Sequence, residues 1–252
     1  MQNVSQPAAS GLARGVGWLA SAVGSAGLLA AALGPLVIHA GLASPFVGFR
    51  IFGLGLLLGI PALVLGLVGR FLARAPENEE ARASARTGAF VGALLVLLLA
   101  VLGGRGAGAP MIHDISTDFA DPPAFSAAAR EAENAGRDMG YPPENAEIQQ
   151  KAYPDVKPIA LDVPQEEAFA RAQRAATELG WQIAYSDPGS GVFEATYTSS
   201  VFLFVDDVVV RVRETAPAAS RVDVRSRSRV GKSDLGANAA RIEAFARKLA
   251  SG

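Results

Sequence analysis

The 252-residue chain has no cysteine, only two histidines, and very few acidic residues in its first 108 positions. The absence of cysteine excludes disulfides, cysteine-based metal sites and thiol catalysis. Acidic residues occur before position 109 only at positions 77, 79 and 80, whereas the rest of the chain carries 21 acidic and 16 basic residues. Because this second half is mildly acidic, it lacks the basic footprint of a nucleic-acid-binding domain, and we expect no nucleic-acid partner.

What the first half does contain is three apolar runs without charged residues, at about 16–40, 51–70 and 87–104. A helix needs about 20 apolar residues to cross the hydrocarbon core of a bilayer. The first two runs reach this length, and the third is shorter but very apolar. A buried core helix is the alternative for each run, but three consecutive runs favour transmembrane helices. We therefore predict a membrane region over residues 1–105.

Arginines are distributed unevenly around these runs, and this predicts their orientation. The positive-inside rule places the N-terminus in the cytoplasm and everything after the third run outside it. The first run is too long, and the segment before it too weakly basic, for a cleaved signal peptide. The predicted location is therefore the bacterial inner membrane, crossed several times. The arginines are Arg14, Arg70, Arg74, Arg82 and Arg86 on the cytoplasmic side, and Arg50 and Arg105 on the other.

The composition of the spans favours an anchor over a transporter. Apart from Arg70, which ends the second run, none of them contains Asp, Glu, Lys or Arg, the groups that ion and proton pathways normally need. Gly55 and Gly59 are four residues apart, a spacing typical of helices that approach each other closely. Pro61 predicts a kink in the second span. We expect a compact set of helices.

Residues 106–157 are predicted to form a linker with one dense polar motif. His113, Asp114 and Asp118 lie within six residues and have metal-ligating side chains. Three ligands without a fourth from elsewhere are a weak indication of a metal site. The alternative is an irregular segment in which Asp and Ser side chains cap local turns. We favour this alternative, and we predict no metal site and no cofactor.

Residues 158–252 show strand and helix patterns in the order β-α-β-β-β-β-α. Hairpin-linked strands with flanking helices indicate an antiparallel sheet with helices packed on one face. The predicted fold class is therefore α+β, with three transmembrane helices ahead of the sheet domain. The strands are expected at about 158–163, 181–186, 193–197, 202–213 and 221–230, and the helices begin near Pro164 and after Ser233 or Asp234.

The last two strands have valines on one face and charged residues on the other. Opposite charges face each other when Arg211 lies opposite Asp223 and Asp207 opposite Arg227. A shift by two residues would set Arg211 against Arg225, which is repulsive. We predict the first register, in which these residues form structural pairs and a five-residue loop joins the strands.

Several motifs resemble, in order, those of the bacterial and plastid family called domain of unknown function 1499. The resemblance covers the chain from about residue 111 to its end. It implies a membrane-associated or exported α+β domain without established catalytic residues. The motifs lie at 112–118, 122–125, 206–211, 223–231 and 233–241, and their polar residues are His113, Asp114, Ser116, Asp118, Asp206, Asp207, Arg211, Asp223, Arg225, Ser226, Ser228, Arg229, Asp234, Asn238 and Arg241.

The charged strand face is either a solvated surface or a cationic site for a carboxylate, phosphate or lipid headgroup. We expect a membrane-anchored envelope protein whose non-catalytic domain binds an envelope protein or an anionic lipid. One alternative is a hydrolase or lipid-modifying enzyme that uses His113 with Asp118 and either Ser226 or Ser228. Another is a purely structural module. The candidate ligand-binding residues are Arg225, Arg229, Asn238, Arg241, His113 and Asp118.

Overall fold

The structure, a computed structural model, describes residues 8–251 and forms two compact units. The helical unit comprises the described chain up to Arg105 together with Val201–Leu203. The sheet unit comprises Gly106–Ser200 and the chain from Phe204 onward. The segment before the first predicted span, residues 1–15, lies partly outside the described residues.

Three helical stretches of the described chain are apolar and long enough to cross a membrane. They are Gly11–His39, Pro45–Leu72 and Pro76–Gly104. The prediction of three long apolar helices at the N-terminus is therefore confirmed. The helices of this unit are α1 (Ala8–His39), α2 (Pro45–Leu57), α3 (Gly59–Leu72) and α4 (Glu79–Arg105).

The second stretch consists of two helices because it is interrupted at Leu58, between α2 and α3. Pro61 follows three residues later and has no N–H to donate to the carbonyl of Leu57, one helical turn before it. The kink predicted at Pro61 thus takes the form of a break slightly earlier in the chain.

The helices of this unit approach each other closely at glycines. A β-carbon at Gly55 would lie 2.5 Å from the backbone nitrogen of Ala31, and one at Gly59 would lie 2.5 Å from Cβ of Leu95. Such distances are shorter than van der Waals contact, so only glycine fits at these two crossings. The spacing of these two glycines predicted this close approach.

The sheet unit is built on a six-stranded antiparallel sheet with the order β1-β6-β5-β4-β3, and β2 also pairs with β6. The predicted α+β fold is confirmed, and β1 is an additional strand within the motif segment that was predicted to be irregular. The elements are β1 (Asp114–Ser116), α5 (Asn145–Ala152), β2 (Ile159–Leu161), α6 (Gln165–Glu178), β3 (Gln182–Asp187), β4 (Val192–Thr198), β5 (Val205–Ala216), β6 (Ala219–Ser228) and α7 (Ala237–Ala250).

The hairpin of β5 and β6 has the predicted register, with Arg211 opposite Asp223 and Asp207 opposite Arg227. The predicted five-residue loop is wrong, because pairing continues to Ala216 and Ala219 after an irregularity. Only Pro217 and Ala218 remain between the strands. Pro217 occupies the first position of this turn, where its fixed negative φ is compatible with a type I or type II turn.

One face of the sheet, here called the helix face, packs against α6 and α7. Its valines at positions 208, 210, 212, 222 and 224 are at most 1 % exposed. They share an apolar core with Phe193 and, from the helices, Phe169, Ile242 and Phe245. Asp234, one of the two residues after which this helix was predicted to begin, accepts hydrogen bonds at 2.9 Å from the N–H of Gly236 and at 2.8 Å from that of Asn238. Its carboxylate thus caps the first turn of α7.

The opposite face carries the charged residues and is covered by residues 118–144, here called the covering segment. This segment contains only short 3₁₀ turns. Phe125 and Ala128 from it pack on Val209 of β5. Glu194 of β4 accepts hydrogen bonds at 2.6–2.9 Å from the backbone N–H groups of residues 126–128 and from the hydroxyl of Ser126. The charged face is therefore an interior surface over much of its length.

α5 completes the edge of β1 with a side chain. The amide of Gln149 accepts a hydrogen bond from Ser116 N–H at 2.9 Å and donates one to Ser116 carbonyl at 2.7 Å. These two bonds replace the pair that a neighbouring strand would form, which satisfies the buried backbone of β1. Residues 106–157, predicted as a linker, thus supply β1, the covering segment and α5 to the sheet unit.

Candidate functional site

The charged face is organised around a buried ion pair of Arg225 and Asp114. The guanidinium donates to both carboxylate oxygens, at 2.9 and 2.7 Å, and the residues are 2 % and 1 % exposed. It also donates to the carbonyls of Pro123 and Met139 in the covering segment, at 3.2 and 2.9 Å. The ring of Phe125 lies 4.9 Å from the guanidinium carbon. Arg225, predicted as a ligand-binding residue, therefore uses its donors inside the fold.

A second pair joins Arg229 to Asp207, with Nε and Nη2 of the arginine 3.0 and 2.7 Å from one carboxylate oxygen. Asn134 donates to the other carboxylate oxygen at 2.8 Å, and Glu133 forms a further ion pair with the arginine. Burial raises the pKa of Asp207 to about 6, although the hydrogen bond from Asn134 opposes this. Arg229 thus also holds the covering segment onto the sheet.

The predicted pair of Asp207 and Arg227 is adjacent in register but not joined by its side chains. Asp207 turns to Arg229, while Nε of Arg227 lies 3.7 Å from Asp114. Arg227 is only 9 % exposed, and its Nε and Nη1 have no hydrogen-bond partner within the described residues. By contrast, the pair of Arg211 and Asp223 forms at 3.2 Å as predicted.

Asn238 and Arg241 lie at the start of α7 and reach the helix face, where they meet the serines of β6. The amide of Asn238 accepts a hydrogen bond from the Ser226 hydroxyl at 2.6 Å and donates to that of Ser228 at 3.0 Å. Arg241 donates to Ser226 at 2.9 Å and forms an ion pair with Asp206 at 2.6 Å. Asn238 and Arg241 are therefore separated from the candidate residues Arg225 and Arg229 by the sheet.

His113 is half-buried beside this network. Its backbone carbonyl accepts hydrogen bonds from the N–H of Ser228 at 3.0 Å and from Asn238 at 3.1 Å. Burial and the nearby Arg227 charge hold the pKa of the imidazole below its ordinary value. The Ser226 hydroxyl donates to Asn238 and the Ser228 hydroxyl accepts from it. Among the described residues no hydrogen bond joins either serine to the imidazole, so the serine–histidine pair that activates a nucleophile is not formed.

Asp118 is the centre of an open cluster at the end of the hairpin. One carboxylate oxygen accepts hydrogen bonds from the N–H groups of Ala120 and Asp121, which is the turn capping that the motif predicted. The other oxygen accepts hydrogen bonds from Arg213 at 3.1 Å and Arg221 at 2.6 Å. These contacts hold the pKa of Asp118 below its ordinary value, although burial opposes them.

Asp223 shares the arginines of Asp118. It is fully buried, and its carboxylate lies 2.7 Å from Arg213 and from Arg221 and 3.2 Å from Arg211. Three guanidinium groups thus surround two carboxylates, with Asp121 as a third. The side chains of Arg213 and Arg221 remain 39 % and 35 % exposed. This is the part of the arginine row that reaches solvent.

A pocket of about 550 Å³ lies next to this cluster, here called the Asp118 pocket. Its size is within the range of small-molecule sites in proteins. Of the predicted site residues, only Asp118 lines it. Arg221 was recognised as part of the charged face, but no sequence pattern points to Lys157 or to the aromatic walls. The lining residues are 117–120, Gln150, 153–154, 156–158 and Arg221.

Over residues 8–251 the structure contains no group of three or more His, Cys, Asp or Glu side chains placed to hold a metal ion. Asp114 and Asp118, two of the three ligands considered, are instead bound by arginines. The chemistry that this arrangement supports is ion pairing and hydrogen bonding.

Comparison with known proteins identifies the sheet unit by family only. Residues 114–249 match a family whose description is "Protein of unknown function (DUF1499)". This match covers more than half of the chain and begins at the first residue of β1. No curated protein matches the chain.

Proposed function

The chain belongs to the DUF1499 family, and we propose that it is a membrane-anchored envelope protein with a non-catalytic binding domain. The helical unit is the anchor in the bacterial inner membrane. The sheet unit is displayed outside the cytoplasm, where it binds an anionic ligand or an envelope partner. The observation that carries the binding role is the Asp118 pocket, an open space beside a cluster of partly exposed arginines.

The proposed orientation follows from charge. Four arginines, at positions 70, 74, 82 and 86, lie around the connection between the second and third apolar runs, whereas Arg105 alone lies at the end of the third run, where the sheet unit begins. Arginine-rich loops are retained in the cytoplasm, so the second loop and the sheet unit are placed on opposite sides of the membrane.

A reporter enzyme fused after Gly252 tests this orientation. Alkaline phosphatase is active only outside the cytoplasm, so we expect activity from this fusion and none from a fusion within the loop near Glu79. The reverse pattern would overturn the proposed location. Equal activity from both fusions would contradict the three-span arrangement.

Photo-cross-linking in the native membrane tests the binding role. A photoreactive amino acid at Gln150, an exposed residue of the pocket lining, is expected to give a discrete adduct in the full-length protein. The same amino acid at Ala218, in the exposed turn between β5 and β6, is the matched control. Identical adduct patterns at the two positions would refute a site at the pocket.

A further inference from the structure

The Asp118 pocket has two chemically different sides. Phe119, Tyr153, Val156 and Pro158 supply an apolar wall, and Lys157 and Arg221 supply cationic groups. Val156 is 4 % exposed and belongs to the main apolar core, so this wall is anchored in the fold. A ligand that fills the pocket would therefore bury apolar surface against one side and meet positive charge at the other.

The carboxylate in the pocket does not repel anions, because arginines already neutralise it. Each oxygen of Asp118 is used, one by two backbone N–H groups and the other by the arginines. The three aspartates and three arginines of the cluster balance in charge. Lys157 therefore adds one positive charge that nothing in the cluster cancels.

Both cations retain donors for a ligand. Arg221 donates through Nε to Asp223 and through Nη2 to Asp118, both within 2.7 Å, which fixes the guanidinium in place. Its third nitrogen, Nη1, donates no hydrogen bond to any of residues 8–251. Lys157 is exposed and forms no ion pair within the same residues. A guanidinium held by two carboxylates is preorganised, so a ligand loses little side-chain entropy by binding to it.

We propose that the Asp118 pocket binds a small amphiphile, with its phosphate or carboxylate on Lys157 and Arg221 and its apolar part against Phe119, Tyr153, Val156 and Pro158. This inference rests on the proposed binding function and adds the ligand class. Neither the anionic group nor the apolar part of the ligand is expected to bind tightly alone. Arg221 is partly neutralised by its carboxylate partners, and the apolar wall covers only one side of the ligand.

Hexyl phosphate is a suitable probe, with inorganic phosphate and hexanol as its separate halves. The full-length protein is placed in phosphatidylcholine nanodiscs, with empty nanodiscs as the blank, and binding is measured by saturation-transfer NMR and calorimetry. We expect saturable binding of hexyl phosphate that is at least about tenfold tighter than that of either half. Equal affinity for inorganic phosphate would overturn the role of the apolar wall, and equal affinity for hexanol would overturn the role of the cations.

Two variants locate the site, each with a matched control. Lys157→Glu reverses the unpaired charge and is expected to weaken hexyl phosphate at least about tenfold. Lys151→Glu, at an exposed lysine of α5 outside the lining, is expected to leave it unchanged. Ala120→Trp fills the pocket from an exposed position and should abolish binding, whereas Ala218→Trp, at an exposed residue outside the pocket lining, should not. Wild-type affinity in both pocket variants would refute the proposal.

Nanodiscs that contain phosphatidic acid distinguish two sources of the same chemistry. A lower apparent affinity for hexyl phosphate in these discs assigns the ligand to the bilayer, and an unchanged affinity assigns it to a soluble molecule; both outcomes support the site. If hexyl phosphate and hexanoate both fail to bind while Gln150 still gives its specific adduct, the ligand class is wrong and the binding function stands. If the adduct is absent as well, the proposed function fails with it.

Discussion

The two faces of the sheet are covered in opposite ways. On the helix face, valines of β5 and β6 meet the apolar sides of α6 and α7. On the charged face, buried carboxylates and guanidiniums meet a covering segment that contains only short helical turns. An apolar core accepts gradual changes in volume, whereas a buried charge requires its partner. We therefore expect substitutions on the two faces to lower the free energy of unfolding by different amounts. The difference should be larger than the changes in side-chain volume alone suggest.

The largest expected effect comes from Asp114→Ala, which leaves the guanidinium of Arg225 buried without its carboxylate. We expect the free energy of unfolding to fall by about 3–5 kcal/mol. Hydrogen exchange of β6 peptides in the full-length protein measures this loss. The double variant Asp114→Ala with Arg225→Met removes both charges and should recover much of it. Unchanged exchange in the single variant would contradict the idea that this face depends on its ion pairs.

A smaller effect is expected on the helix face from Ile242→Val, where the side chain is 1 % exposed. Removal of one buried methyl group typically costs about 0.5–1.5 kcal/mol. The same β6 and α7 peptides report the change. A loss as large as that of Asp114→Ala would remove the proposed difference between the faces.

A still smaller effect is expected from Arg213→Ala at the open end of the charged face. The side chain is 39 % exposed, and its carboxylate partners keep Arg211 and Arg221. Exposed ion pairs contribute about 0–1 kcal/mol, so exchange should change little. A cost of several kcal/mol would show that the whole arginine row, rather than its buried part, holds the covering segment.

The smallest expected effect is a change in pH dependence from His113→Asn. Burial and Arg227 lower the pKa of His113 below its ordinary value of 6.5. Its contribution to stability is therefore present above about pH 6.5 and is lost as the pH falls through the lowered pKa. The variant should lose less protection than the parent on acidification from about pH 7 to about pH 5. An identical loss in both proteins would exclude this role for the imidazole.

Asp207 also titrates between about pH 5 and about pH 7, so the loss of protection must be compared directly between the parent and the His113→Asn variant. Burial raises the pKa of its carboxyl from 3.8 to about 6, so its contribution is present at low pH and is lost as the pH rises through about 6. The two groups therefore act in opposite directions over the same range. The difference between the parent and the His113→Asn variant isolates the imidazole, because Asp207 is present in both proteins.

The hairpin shows what the sequence could predict. Alternation of valine with charged residues determines which side chains share a face, and charge repulsion excludes the register that sets Arg211 against Arg225. Both inferences use neighbours along two adjacent strands, and both agree with the structure. The turn was predicted too long because the exposed residues between Glu214 and Ala219 carry no alternation that would extend the strands.

The covering segment shows what the sequence could not predict. Its residues have no helical or strand period, and their partners lie about 70–100 residues away, as for Ser126 with Glu194 and Pro123 with Arg225. Without knowledge of this cover, Arg225 and Arg229 look like ligands of a solvent-exposed site. The Asp118 pocket escaped prediction for the same reason, since it combines residues near 119, 156 and 221 that meet only in the folded chain.

The pairing of β1 with β6 also constrains the order of assembly during synthesis. Asp114 leaves the ribosome 111 residues before Arg225, so the first strand has no partner until nearly the whole polypeptide is made. Pairings between such remote segments form slowly because a long loop must close first. We expect nascent chains arrested before Arg225 to stay protease-sensitive after Asp114 and to gain resistance once β6 emerges; early resistance would contradict this order. A chain truncated within its last strand would thus leave a hydrophobic hairpin for the cell's quality-control proteases.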